Sequence, residues 1–138
     1  MKISTKGRYA LMVLLDLAQQ PEGEFISLKD IAERQAIPAK YLEQIIMILN
    51  RSDLLQSARG AGGGYRLARK PCDYRLGDII RAAEGSLSPL SCLEDSENIC
   101  ARSEHCQTLP FWSGLSRAIN EYVDRFTLED LAFHPEKF

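Results

Sequence analysis

Two groups of side chains in this chain have types and spacings that could do chemistry. The first is a set of three thiols, Cys92, Cys100 and Cys106, separated by seven and then five residues within a polar, acidic stretch. Thiolates are soft ligands that select iron–sulfur clusters, zinc or copper(I), and a loop can wrap them around one centre. Three thiols leave one coordination position for a different donor. The spacing is neither that of a zinc finger nor that of a ferredoxin, so it points to metal binding without choosing the metal. Met1-Lys2-Ile3-Ser4 does not open a secretory signal, which predicts a cytoplasmic, reducing setting. That setting and the odd count argue against disulfides. Cys72 stands apart beside the break Arg69-Lys70-Pro71 and reads as structural or inert.

The second group lies between Pro38 and Leu67. Leu42, Ile45, Ile46 and Leu49 recur at the offsets of one buried helical face. The opposite face carries Lys40, Glu43, Gln44, Met47 and Arg51, rich in groups that hydrogen-bond to base edges or phosphates. Pro38 suits the first turn of this helix, where its missing N–H removes no intrahelical bond. Leu54-Leu55-Gln56-Ser57 and Tyr65-Arg66-Leu67 then read as two short strands around the loop Ala58 to Gly64. That hairpin carries Arg59 beside glycines, and a loop arginine can reach into a DNA minor groove. A polar helix face is often only solvated, and a single glycine loop is weak evidence. Their adjacency, in the order helix, strand, basic loop, strand, is the signature of a winged helix-turn-helix.

The elements that must position these groups are legible around them. Thr5 to Gln19 is apolar nearly all round, which predicts a helix buried on several faces. Lys6, Arg8 and Tyr9 at its start could hold phosphates. Ser27-Leu28-Lys29-Asp30 opens a short capped helix with Leu28, Ile31 and Ala32 on its buried side. Gln35-Ala36-Ile37 links it to the polar-faced helix, completing the helix-turn-helix pair. Leu76 to Glu84 is a short amphipathic helix closed by Gly85. From Ser86 to Thr108 the pattern dissolves into the cysteine-bearing loop. From Leu109 a long helix begins, with Trp112, Leu115, Ile119, Tyr122 and Phe126 forming a seam suited to a partner helix. Thr127-Leu128-Glu129-Asp130 makes another capped turn or short helix. The chain is thus mainly α. It divides into a winged helix-turn-helix over 1–70, a short helix and cysteine loop over 71–108, and a dimerisation helix and tail over 109–138.

Charge follows this division. The chain carries a formal net charge of −2, but residues 1–70 hold 11 Lys and Arg against 7 Asp and Glu, whereas residues 71–138 hold 6 against 12. Basic charge is therefore concentrated where phosphate contact is expected. No run is long and apolar enough to span a membrane. No nucleotide-binding glycine pattern follows a strand and no nucleophile–base pair is evident, which leaves a redox enzyme or electron carrier as the weakest reading.

Several segments carry a resemblance. These are Met1 to Ala10 (with Gly7-Arg8-Tyr9), Tyr41-Leu42-Glu43-Gln44, Arg59 to Tyr65, Gly77-Asp78-Ile79-Ile80 and Thr127 to Leu131. Together they resemble the Rrf-two family of bacterial winged-helix regulators over nearly the whole chain, in particular its IscR-type iron–sulfur and CymR-type cysteine-metabolism branches. The resemblance implies a homodimer on a palindromic double-stranded operator, with paired recognition helices in the major groove and wings in the minor groove. It implies Glu43 and Gln44 nearest the bases, Lys40 and Tyr41 bordering the groove, and Arg59 with Gly60, Gly62 and Gly63 at the minor groove. The three loop thiols match the cluster-binding branch, which implies an iron–sulfur cluster on Cys92, Cys100 and Cys106, of 2Fe–2S type ahead of 4Fe–4S. Where enterobacterial members have a histidine three residues after the third cysteine, this chain has Leu109. The fourth ligand then falls to Glu43 of the partner subunit or to His105, with Glu104 and water behind them. The expected function is a transcriptional regulator, as repressor, of cluster-biogenesis genes. The alternative is a repressor of cysteine or sulfur metabolism that uses its thiols or a partner protein.

Overall fold

The computed structural model describes residues 2–138, so Met1 of the opening motif lies outside the described residues. Six α-helices and one two-stranded sheet follow the expected order: α1 Thr5–Ala18, α2 Leu28–Gln35, α3 Ala39–Arg51, β1 Leu55–Ala58, β2 Gly64–Leu67, α4 Leu76–Glu84, α5 Leu109–Arg125 and α6 Leu128–Phe133. The architecture is mainly helical with a winged helix-turn-helix at its N-terminal end. Pro38 stands one residue before α3 rather than inside its first turn, and its carbonyl accepts from the Leu42 amide at 2.9 Å.

Helix α1 is the hub. It packs on α2 and α3 with one side and on α4 and α6 with another. That explains its nearly unbroken apolar sequence, and Ala10, Val13 and Leu14 are completely buried. The one acid in this run, Asp16, is also buried. Its carboxylate accepts from Arg34 Nε at 2.9 Å, Arg34 Nη2 at 2.8 Å and Gln35 Nε2 at 2.9 Å. A buried carboxylate needs this degree of pairing to remain charged. The result fixes the end of α2 against α1 and so sets the approach to α3.

At the head of α2, Ser27 caps by accepting from the Asp30 amide at 3.1 Å. Between α2 and α3 the chain turns through Ala36 in the left-handed region, φ 53°, and Ile37 drops into the core. Leu42, Ile45, Ile46 and Leu49 are all buried under α3, as their spacing predicts.

The wing pairs antiparallel in the register Leu55 with Leu67, Gln56 with Arg66, Ser57 with Tyr65 and Ala58 with Gly64. A backbone bridge adds Ile26 to its edge, with reciprocal Ile26–Tyr65 hydrogen bonds of 2.8 Å each. Gly64 is required there: its φ is +149°, and a Cβ would collide with the Ile26 carbonyl. The base of the wing is held by Tyr74, which is 1% exposed. Its hydroxyl donates to the Leu54 carbonyl at 2.7 Å and accepts from the Ala68 amide at 2.8 Å. Burial pushes the phenol pKa up, opposed by the amides of Ala68 and Arg69.

Helix α4 runs from this junction to the cysteine loop. Its Arg81 grips α5 through a paired contact with Asp124, Nη1 to Oδ1 at 2.8 Å and Nη2 to Oδ2 at 2.9 Å, and donates to Asn120 Oδ1 at 2.6 Å. Beside that guanidinium the Asp124 pKa is lowered and the Arg81 pKa raised. The stretch from Ser86 to Thr108 is not wholly irregular, since 3₁₀ turns form at Ser91–Leu93 and Ser103–His105. In the C-terminal seam, Phe126 turns out to be a buried residue just past α5 rather than part of its exposed stripe. Thr127 and Asp130 form a complete capping box at α6.

Candidate nucleic-acid interface

The outward face of α3 is set by helical phase. Because α3 buries Leu42, Ile45, Ile46 and Leu49, the residues between them must face outward, and Lys40, Glu43, Gln44, Met47 and Arg51 are all exposed. Tyr41 is half-buried. Its ring meets Tyr9 edge-on at 5.4 Å between centroids, which ties the start of α3 to α1. Tyr9 is therefore a packing residue, whereas Lys6 and Arg8 remain exposed beside it.

Arg59 projects at the tip of the β1–β2 turn, where Gly60 and Gly62 both take positive φ, 89° and 78°. The Gly63 amide closes the turn on the Gly60 carbonyl at 3.0 Å. These glycines give the wing a narrow tip, and the exposed guanidinium is free to meet a phosphate or a minor groove. The other wing arginine has a structural use: Arg66 donates from Nε to Gln56 Oε1 at 3.0 Å and from Nη1 to the Gly23 carbonyl at 2.9 Å, and stacks on Phe25.

The cysteine loop is a separate region between α4 and α5. All three of its thiols are free; Cys92 and Cys106 are half-buried and Cys100 is exposed. Thr108 Oγ1, 3.5 Å from Cys106 Sγ, lowers that thiol's pKa. His105 and Glu104 are exposed. The donor chemistry fits an iron–sulfur centre, since three unpaired thiols lie on one segment. Among the described residues, however, no three His, Cys, Asp or Glu side chains are gathered as a metal site. Cys72, read as structural or inert, is free and exposed, its Sγ 3.8 Å from Asp73 Oδ1.

Two positions that matter for this face were not singled out from the sequence. Glu84, in the last turn of α4, reaches back to the start of α1: its Oε1 accepts from the Ser4 amide at 2.8 Å, Ser4 Oγ at 2.5 Å and the Gly7 amide at 3.1 Å. The available signal was an acid at a helix C-terminus, where the helix dipole disfavours it unless it has another partner. Asp16 carried a similar signal, a lone acid inside an apolar helix.

A helix-turn-helix with an outward polar recognition helix and an arginine-tipped wing defines a DNA-binding regulator. The chain belongs to the Rrf2 family, described as iron-dependent transcriptional regulator, whose pattern matches residues 3–134. It is 42% identical over 136 residues to the HTH-type transcriptional regulator CymR of Bacillus subtilis, covering 99% of this chain and 93% of that protein. The structure of CymR, described as the global cysteine regulator of B. subtilis, superposes with a TM-score of 0.77 at 41% identity, covering 96% of each chain. IscR of T. potens matches with a TM-score of 0.75 at 39% identity, over 99% of this chain and 90% of that one. Both branches named in the resemblance are thus represented among close relatives, and the chain is a transcriptional regulator rather than an enzyme. No helix among the described residues is long and apolar enough to cross a membrane.

Proposed function

We propose that this regulator reads an operator with α3 and the Arg59 wing and adjusts its grip according to whether an iron–sulfur cluster is held by Cys92, Cys100 and Cys106. The observation that carries the sensing half is the placement of three unpaired thiols on one loop between α4 and α5. A bound cluster would supply a labile, redox-active occupant whose presence reports iron–sulfur supply. The chain's own contribution is the loop. Closing it around a shared occupant orders 92–106, and occupancy changes DNA affinity by the factor by which DNA binding changes the protein's hold on that occupant. Glu43 of the partner subunit and His105 are the two candidates for the fourth position. A Glu43 carboxylate engaged there could not also serve the base edges, so occupancy would alter sequence preference as well as affinity.

A homodimer belongs to this reading, acting in the cytoplasm on a palindromic operator. No residue of the 17-residue α5 is buried within the chain, and Phe111 and Tyr122 stay 66% and 52% exposed. A second copy packing along that helix would cover them and pair two reading heads. The division into a reading head over 1–70, a sensor segment over 71–108 and an association segment over 109–138 follows the same logic.

A second reading is favoured by the CymR relatives: control of cysteine or sulfur genes, with the thiols or a partner protein as the input. Anaerobic DNA-binding measurements on wild type and on the C92A/C100A/C106A triple variant separate the two. The cluster reading predicts that chelating iron from the wild type shifts its affinity or preference to that of the variant. Equal binding before and after chelation contradicts it.

A further inference from the structure

The exposed stripe of α3 contains one residue that does not match its neighbours. Lys40, Glu43, Gln44 and Arg51 end in charged or amide groups, but Met47 in their midst is apolar and 54% exposed. It lies one helical turn beyond Glu43 and Gln44 and one turn before Arg51, on the same outward side. More than half of its surface is open, while Leu42, Ile45, Ile46 and Leu49 already fill the core beneath. A helix face that enters a major groove meets hydrogen-bonding edges at every base pair, and one strongly apolar group, the C5-methyl of thymine.

We infer that Met47 is a specificity-determining residue that packs its side chain on a thymine methyl in the major groove, an assignment that rests on α3 being the base-reading element. A helix rises about 1.5 Å per residue, so Met47 sits roughly 4.5 Å along the axis from Gln44. Stacked base pairs are about 3.4 Å apart. The thymine therefore lies within about two base pairs of the pair that Glu43 and Gln44 contact, towards the C-terminal end of α3. Methionine suits the task because its unbranched, polarisable chain adapts to a small apolar target without competing for the polar edges.

The test uses a duplex enriched from a random pool by the wild-type protein, with its thymines replaced one at a time by deoxyuridine. This exchange deletes a methyl group and leaves every hydrogen-bonding edge intact. At one thymine in the stated interval, deoxyuridine should weaken wild-type binding about 3- to 5-fold, the worth of one buried methyl. Met47→Ala should bind the two duplexes alike, and Met47→Leu should keep the discrimination. The inference is overturned if every deoxyuridine exchange affects wild type and Met47→Ala equally. It is also overturned if Met47→Ala leaves methyl discrimination intact and instead changes iron content, which would place Met47 against a partner's loop. A pool that yields no preferred sequence refutes base reading by α3 itself, and this assignment with it. A pool that yields one without a coupled thymine refutes the role of Met47 alone.

Discussion

The carboxylate of Glu84 lies against the backbone of Gly7, Oε1 to amide nitrogen 3.1 Å, across 77 residues of sequence. The same oxygen accepts from the Ser4 amide and hydroxyl, so this one carboxylate supplies an acceptor that the start of α1 lacks within its own helix. The contact joins the root of the cysteine loop to the helix that carries Lys6, Arg8 and the Tyr9 support of α3. It also explains the glycine at position 7, because a Cβ there would collide with the Glu84 carboxylate. Gly7→Ala should push this flexible carboxylate off the Ser4 and Gly7 amides, cost about 1 kcal/mol for the lost hydrogen bonds, and cost clearly less in a Glu84→Ala background. Thermal melts of the two single variants and the double variant test the coupling, and additive losses would contradict it.

The Asp16–Arg34 pair makes an asymmetric prediction. Asp16 is 3% exposed and Arg34 39% exposed. Removing Arg34 strands a buried carboxylate with Gln35 as its remaining partner. Removing the Asp16 charge instead lets the arginine turn to water. Arg34→Met should cost about 3 kcal/mol, whereas Asp16→Asn should cost roughly 1 kcal/mol. Urea midpoints at neutral pH check the order, and equal or reversed losses would count against this account of the buried charge.

These two contacts show where sequence reasoning reached and where it stopped. The phase of α3 was legible because Leu42, Ile45, Ile46 and Leu49 repeat with the helical period, and their burial fixes the outward residues without further information. The wing was legible because a glycine-rich loop with one arginine lies between two short strand-like stretches, the pattern of a hairpin. The role of Glu84 was not, since its partners stand near the opposite end of the chain and no local rule names them. Tyr74 is similar: its hydroxyl satisfies backbone groups of Leu54 and Ala68 that only the folded wing brings together. The cysteine segment was legible as chemistry, through residue type and count, but not as geometry. A loop has no period from which the mutual placement of Cys92, Cys100 and Cys106 could be read.

Acid stability carries a local signature at the C-terminal end. The Asp130 carboxyl accepts from Lys137 Nζ at 2.5 Å and from the Thr127 amide at 2.9 Å. Lys137 first and the Thr127 amide second bring its pKa down to about 2 from an ordinary 3.8. A depressed folded-state pKa contributes stability that is fully present above the ordinary value and lost as the pH falls towards about 2. Lys137→Met should move the carboxyl back up towards its ordinary value and begin that loss at higher pH. Carboxyl titration by NMR on both proteins measures this, and an unmoved Asp130 would refute Lys137 as the main cause.

Arg59 supplies a separate check on the wing. Exposed at the tip and without an internal partner, it should matter to DNA and not to folding. Arg59→Ala should leave the melting temperature unchanged, weaken operator binding, and reduce the slope of log affinity against log salt by about 1 per wing, hence about 2 for the homodimer. An unchanged slope would remove the wing from the phosphate and minor-groove contacts.

The most direct test of the sensing account is an anaerobic absorbance spectrum, with iron and acid-labile sulfide analysis, on wild type and Cys92→Ala. The account predicts a visible charge-transfer band with matching iron and sulfide in the wild type, and its loss in the variant. A featureless wild-type spectrum, or a band that survives Cys92→Ala unchanged, would contradict a cluster held by these thiols. The winged-helix regulator would still stand, with a thiol- or partner-controlled sulfur response in the cluster's place.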